Sequence, residues 1–236
     1  MRYAVIFICL GVAFIALAVQ TGGWGWLLLW PGLSGLLVGL GYAGLGARVF
    51  GKRGHGGFAP WALIVHLPYL LMSLAVWHLI RWTIPENAAD EVAPGIWVAR
   101  RPLCSEIPDD VRCVIDVTAE FWVARRVRDG RTYLCYPTLD GHVSNDQAFI
   151  GTAKHIASLD HPVLIHCAQG HGRSAALAAA VMIARGVAQD AKQAEQVLRA
   201  ARPKVRLKKH QRALVERVAG RLRPVVADRV EASAPS

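Results

Sequence analysis

The sequence predicts an α/β domain with a central, mainly parallel sheet flanked by helices, preceded by an N-terminal transmembrane helical region. Three observations carry this. Residues 1–82 hold five basic side chains and no acid, whereas residues 83–236 hold the other 22 basic and all 17 acidic ones. The first part contains three long apolar stretches. From Glu91 onward, short β-branched runs alternate with helical patterns over about the length of one ordinary domain. At 236 residues and 53% hydrophobic, without a repeat or a low-complexity tract, the chain is neither intrinsically disordered nor fibrous. The expected organisation is a membrane region over 1–82, a soluble domain over 83–223 and a disordered tail over 224–236.

The three apolar stretches are 3–19, 24–46 and 60–80, and none contains Asp, Glu, Lys or Arg. About 20 such residues cross about 30 Å of hydrocarbon. Trp24, Trp26, Trp61, Trp77 and Trp82 lie near the ends of the second and third, where indole rings suit the headgroup layer. Arg2, an apolar run and Ala16-Leu17-Ala18 also fit a cleaved signal peptide, but an uncleaved helix is the expectation. Gly35, Gly39, Ala43 and Ala47 recur every four residues and predict close packing within the bundle. His66 and Pro68 fall mid-span, and His66 is expected to bond to a neighbouring helix rather than to act chemically. Two cues to sidedness conflict. The basic loop with Arg48, Lys52 and Arg53 belongs in the cytoplasm, which with three spans sends the later half outside. The four later cysteines, with no CxxC pair, read as free thiols of a reducing compartment.

In the soluble half, strands are predicted at Ile96–Val98, Val111–Val117, Tyr133–Tyr136 and Val163–His166. Helices are predicted at Ser144–Ser158, Ser174–Arg185, Ala188–Ala201 and Lys208–Arg221. Ser144 followed by Gln147 forms a capping-box pattern, and Leu214, Val218 and Leu222 form one apolar face.

The decisive stretch is VLIHCAQGHGRSAALAAA, residues 163–180. An apolar strand runs into His166-Cys167, then a glycine-containing loop, then Arg173-Ser174 opening an alanine-rich helix. A loop between strand end and helix start aims backbone N–H groups and the positive helix end at one point, which suits phosphate. Gly170 and Gly172 let that backbone curl closely, and Arg173 offers a planar two-pronged grip on phosphate oxygens. The same field lowers a thiol pKa, so Cys167 is expected to be a thiolate and a nucleophile. A buried structural cysteine would leave the histidine, both glycines and the arginine unexplained together.

HCAQGHGRS resembles the HCxxGxxRS signature of the cysteine-dependent protein phosphatases, specifically the dual-specificity branch. The likeness covers roughly Glu91 to Val218, with APGIWVARRP, VIDVTAEF and ARPKVRLKKHQ similar to the first strand, second strand and closing helical region of such domains. It implies a catalytic domain over 83–223 in a membrane-anchored member of bacterial type. Phosphate would be bound by the loop Cys167, Ala168, Gln169, Gly170, His171, Gly172 and Arg173. Cys167 would form a phosphocysteine, Ser174 would help the thiolate leave, and His166 would help set the loop and the thiol pKa.

Leaving-group departure needs a proton. Asp140, in a loop after a strand and 27 residues before Cys167, is the candidate; it also matches the general-acid position of the family. Asp146 falls in a helix's first turn, where an acid complements the dipole. His142 reads as a solvated loop residue. Asp116 and Glu120 read as packing or turn residues. Cys104, Cys113 and Cys135 lack metal-ligand spacing, so neither metal nor cofactor is expected. Ten basic residues against one acid between Arg199 and Arg223 suit anionic headgroups or a solvated face; nucleic acid is not expected, because no stacking aromatics accompany them. The implied protein is a multi-pass phosphatase of a bacterial inner membrane, its substrate a phosphoprotein (Tyr, Ser or Thr) or alternatively a phospholipid. Rival readings are a non-catalytic phosphate-binding module and a sulfur-transfer or arsenate-reducing enzyme.

Overall fold

The computed structural model describes residues 2–140 and 145–222, so the predicted tail and His142 lie outside the described residues. The chain forms two compact units. The first comprises residues 1–86, 116–129 and 133–142; the second comprises 87–115, 130–132 and 143–236.

In the first unit, helix α1 (Arg2–Thr21) and helix α2 (Leu29–Leu40) pack as neighbours, and α3 (Pro60–Thr83) follows. The segments Arg2–Thr21, Gly23–Phe50, which contains α2, and Pro60–Thr83 are long and apolar enough to cross a membrane. Small residues set the α1–α2 approach: a Cβ on Gly35 would stand 3.3 Å from the Phe7 carbonyl oxygen, and one on Gly39 would meet Ile8. The predicted spacing holds only for these two glycines. The second span is not one continuous helix. After Leu40 the backbone passes through a π-type turn at Gly41–Leu45 and a 3-10 turn at Gly46–Phe50, with Gly44 at φ 151° and Gly46 at φ 71°. Such values break a helix and favour glycine. Ala43 and Ala47 therefore leave the face they were expected to share. His66 is buried, and its Nε2 lies 2.9 Å from the Val49 carbonyl in the turn after α2.

A five-stranded mixed sheet is built from β1 (Ala89–Ala93), β2 (Ile96–Ala99), β3 (Cys113–Thr118), β4 (Thr132–Thr138) and β5 (Val163–His166), in the order β1-β2-β5-β3-β4. Pairing is antiparallel between β1 and β2 and parallel between β2 and β5, with Ala99 opposite His166. Strand β1, unforeseen because Ala89-Asp90-Glu91 carries little β-propensity, is joined to β2 through Gly95 at φ 70°.

Helices α4 (Arg125–Arg128), α5 (Asp146–Ala157), α6 (Arg173–Ala184), α7 (Ala191–Ala201) and α8 (Lys209–Leu222) complete the chain. All twelve residues of α6 are buried, and its alanines make that position sterically feasible. The cap of α5 is Asn145, whose side chain accepts the amides of Gln147 and Ala148; the predicted Ser144 lies outside the described residues. An Asn at this position satisfies two of the helix's orphan donors. Leu214, Val218 and Leu222 of α8 are buried, as their spacing predicts.

Candidate active site

Strand β5 delivers Cys167 directly into a loop that ends at Arg173, the first residue of α6. Cys167 is 4% exposed, Arg173 9%, His166 3% and Ser174 fully enclosed. The Gly170 amide donates to the Cys167 Sγ at 3.2 Å, and the Ser174 hydroxyl donates to it at 3.3 Å. Burial alone would raise the Cys167 pKa. The Arg173 charge, the Ser174 hydroxyl and the amides of Ser174 and Gly170 outweigh it, and the net shift is downward.

The contrast within the chain is informative. Burial pushes the Cys113 thiol up to about 11 and raises that of Cys135 as well. What separates Cys167 is not depth but four donors and cations aimed at one sulfur.

The two loop glycines act differently. Gly170 has φ 78°, and a Cβ there would stand 2.7 Å from the backbone of Ala99 and Arg100 at the end of β2. Both conformation and space require glycine. Gly172 precedes α6 with φ −120°, a value open to any residue, and its constraint is steric: a Cβ would lie 3.1 Å from Gln211 Nε2.

Three loop carbonyls are held from outside. The Arg101 amide donates to Ala168 at 3.1 Å, the Arg202 guanidinium to Gln169 at 3.3 Å, and the Arg206 amide to His171 at 3.3 Å. Arg202 is 1% exposed and also reaches Asp90 at 2.6 Å and the Asn87 carbonyl at 3.1 Å. Fixing these peptide planes restricts the direction in which the loop amides can point, which is how an anion cradle is preorganised. Arg202 escaped the sequence reading because it lay within a run of basic residues.

The structure thus brings Gly170, Arg173 and Ser174 to the Cys167 sulfur in the second unit, with His166 buried at the end of β5 just before it. Asp140 belongs to the first unit, two residues beyond β4 and part-buried. Asp146, the weaker acid candidate, is engaged by Arg217 through two contacts of 2.7 Å.

Asp116 is a structural residue, as expected, with a partner that no local pattern suggested. Lys52 Nζ donates to Asp116 Oδ2 at 2.8 Å, to the Thr118 carbonyl at 2.7 Å and to the Thr118 hydroxyl at 3.0 Å. Tyr133 donates to the same Asp116 oxygen at 2.7 Å.

No family model matches the chain, and no curated protein does. Solved structures do, and they show the fold to be that of the dual-specificity and protein-tyrosine phosphatases. PTPMT1 in complex with PI(5)P superposes with TM-score 0.51 at 17% identity, over 61% of this chain and 99% of that one. Tk-PTP in the active form gives 0.51 at 21% identity, over 58% and 99%. A human tyrosine phosphatase-like serine/threonine/tyrosine-interacting protein gives 0.50 at 17%, over 57% and 97%.

Proposed function

We propose that the protein is a membrane-anchored, cysteine-dependent phosphatase that hydrolyses phosphomonoesters through a phosphocysteine. The observation that carries this is the Cys167 sulfur, buried yet with its pKa lowered by Arg173, Ser174 and the loop amides. The thiolate attacks phosphorus and the phosphorus–oxygen ester bond breaks, while Asp140 gives its proton to the departing oxygen. Water deprotonated by Asp140 then attacks the phosphocysteine, releasing inorganic phosphate. The Ser174 hydroxyl stabilises the departing thiolate. Arg173 and the loop amides stabilise the equatorial oxygens in both steps, where an electrostatic site contributes most.

Resemblance to the protein phosphatases supplies the first reading of the substrate, a phosphoprotein. A phospholipid is the second reading, favoured by the packing of the Asp140 segment on the membrane helices. A sulfur-transfer or arsenate-reducing reaction would draw on a second reactive thiol. Cys113 and Cys135 have raised pKa values, which makes them poor partners for it.

The test is release of p-nitrophenol from p-nitrophenyl phosphate by the purified full-length protein, with vanadate as inhibitor and chelator present. Cys167→Ser is expected to abolish turnover. Asp140→Asn is expected to slow it by about 10²–10⁴ with a poor alkoxide leaving group and by less with p-nitrophenolate. Equal, wild-type activity in both variants would refute the assignment.

A further inference from the structure

The segment that carries Asp140 is built into the membrane helices. Leu139, the residue immediately before it, is 3% exposed and belongs to one core with Val38 of α2 and Phe50, against which Phe7 of α1, Tyr42 and Tyr69 of α3 also pack. The neighbouring strand end is fastened by charge. Lys52, whose side chain is fully enclosed, spends its three N–H groups on Asp116 and Thr118. Asp116 in turn accepts from Tyr133 of β4 and from the amide and hydroxyl of Thr118. The same connection adds backbone contacts: the Val123 amide donates to the Gly56 carbonyl at 3.1 Å, and Arg128 donates to the His55 carbonyl at 2.9 Å.

A lone ion pair at a surface would position little. A buried lysine with every donor used, beside an apolar plug on the adjacent strand, is a fixed joint. It joins the connection between α2 and α3 to the ends of β3 and β4.

Lys52 stands between the apolar segments Gly23–Phe50 and Pro60–Thr83, so within the first unit the joint keeps the Asp140 segment beside the leaflet that those segments enter.

We propose that Lys52 and Leu139 are positioning residues that hold the general-acid segment at the membrane surface, and that the substrate is a phosphomonoester whose alcohol lies in that leaflet, a lipid phosphate. This rests on the phosphatase reading above. The proton donor for the leaving oxygen is mounted on the lipid-facing helices, so the leaving alcohol is presented where lipid alcohols are. The chain's formal net charge of +10 favours an anionic surface.

The test uses the full-length protein in phosphatidylcholine vesicles carrying phosphatidic acid, compared with dissolved dibutyryl phosphatidic acid, a phosphotyrosine peptide and p-nitrophenyl phosphate. The vesicle lipid is expected to exceed its dissolved analogue in kcat/KM by at least about tenfold, by surface confinement. Lys52→Met is expected to reduce turnover of phosphatidic acid, whose alkoxide needs the acid, by about 10²-fold and that of p-nitrophenyl phosphate only a few-fold. Its basic limb in the pH profile should be lost, and Lys52→Arg should restore part of both. Leu139→Ala, compared with Leu139→Met, provides a second variant that leaves the ion pair intact. Tungstate protection of Cys167 from alkylation checks that each variant retains its phosphate loop. Equal rates on dissolved and vesicle lipid, preference for the peptide, or loss independent of leaving group in variants that keep tungstate protection would overturn the proposal. Absence of wild-type turnover on all four substrates would instead overturn the phosphatase reading, and this proposal with it.

Discussion

Replacing Gly170 by Ala tests whether the loop's shape, rather than its composition alone, creates the site. At φ 78° an L-residue pays about 1–2 kcal/mol for the left-handed conformation. The added methyl would stand 2.7 Å from Ala99 C and Arg100 N, against an optimum of about 3.5–4.0 Å between carbons. Those atoms are backbone at the end of β2, one residue from the pairing of Ala99 with His166, so they cannot rotate away. Relief of such overpacking costs about 1–3 kcal/mol. Together this is roughly 2–5 kcal/mol, within the stability of an ordinary domain. The variant should fold with its thermal midpoint lowered by about 5–15 °C and its loop displaced.

The kinetic effect follows from that displacement. The Gly170 amide donates to the sulfur at 3.2 Å, and moving it by about 1 Å removes that donor and misaligns its neighbours. A misplacement of this size costs on the order of 100-fold in kcat/KM. Gly172→Ala is the control. Its φ suits alanine, and the opposing atom is the end of the Gln211 side chain, which can give by a few tenths of an ångström, so the loss should stay within a few-fold. p-Nitrophenyl phosphate turnover and a thermal melt on both variants decide. If Gly170→Ala kept wild-type kcat/KM and melting point while Gly172→Ala lost both, the roles assigned to the two glycines would be wrong.

Other outcomes follow from the same geometry. Ser174→Ala removes a hydroxyl that favours the deprotonated sulfur, so the Cys167 pKa should rise, and the pH–rate profile of iodoacetamide alkylation should move to higher pH; an unmoved profile would remove Ser174 from the thiolate's environment. Arg202→Lys keeps the charge beside Asp90 but loses the fork that also holds the Gln169 carbonyl, so tungstate should bind about tenfold more weakly at unchanged affinity for vesicles. With the exposed Cys9 and Cys104 replaced by Ser, cysteines placed at His55 and at Arg125, both exposed, should react with a membrane-impermeant maleimide from the same side of sealed vesicles; labelling from opposite sides would exclude a closed Lys52–Asp116 joint.

How much could be read beforehand depended on distance along the chain. Residues 163–174 form a strand end, a loop and a helix start in succession, so the apolar run, the glycines, Arg173 and the cysteine stand in the sequence as they stand in space. The lowered thiol pKa follows from that local order. Asp140 was legible as a loop acid after a strand, by position and resemblance. Lys52 and Asp116 are 64 residues apart, and each had a sufficient local explanation, one as a topology signal and the other as a strand-end residue. Leu139 looked like any apolar residue at the end of a strand. Nor does apolar content report helix breaks: residues 24–46 are hydropathic enough for a span, while positive φ at Gly44 and Gly46 turns the chain after Leu40.

The burial of Lys52 changes what the basic connection can say about sidedness. A lysine whose Nζ is used by Asp116 and Thr118 is a packing residue, and the charge left facing solvent comes from Arg48 and Arg53. A positive-inside bias then acts on this connection through two arginines instead of three cations. Lys52, Asp116, Thr118 and Tyr133 share one buried network within the first unit, so the connection and the ends of β3 and β4 belong on one face. That is a separate question from the substrate, and the maleimide experiment answers it without reference to the chemistry.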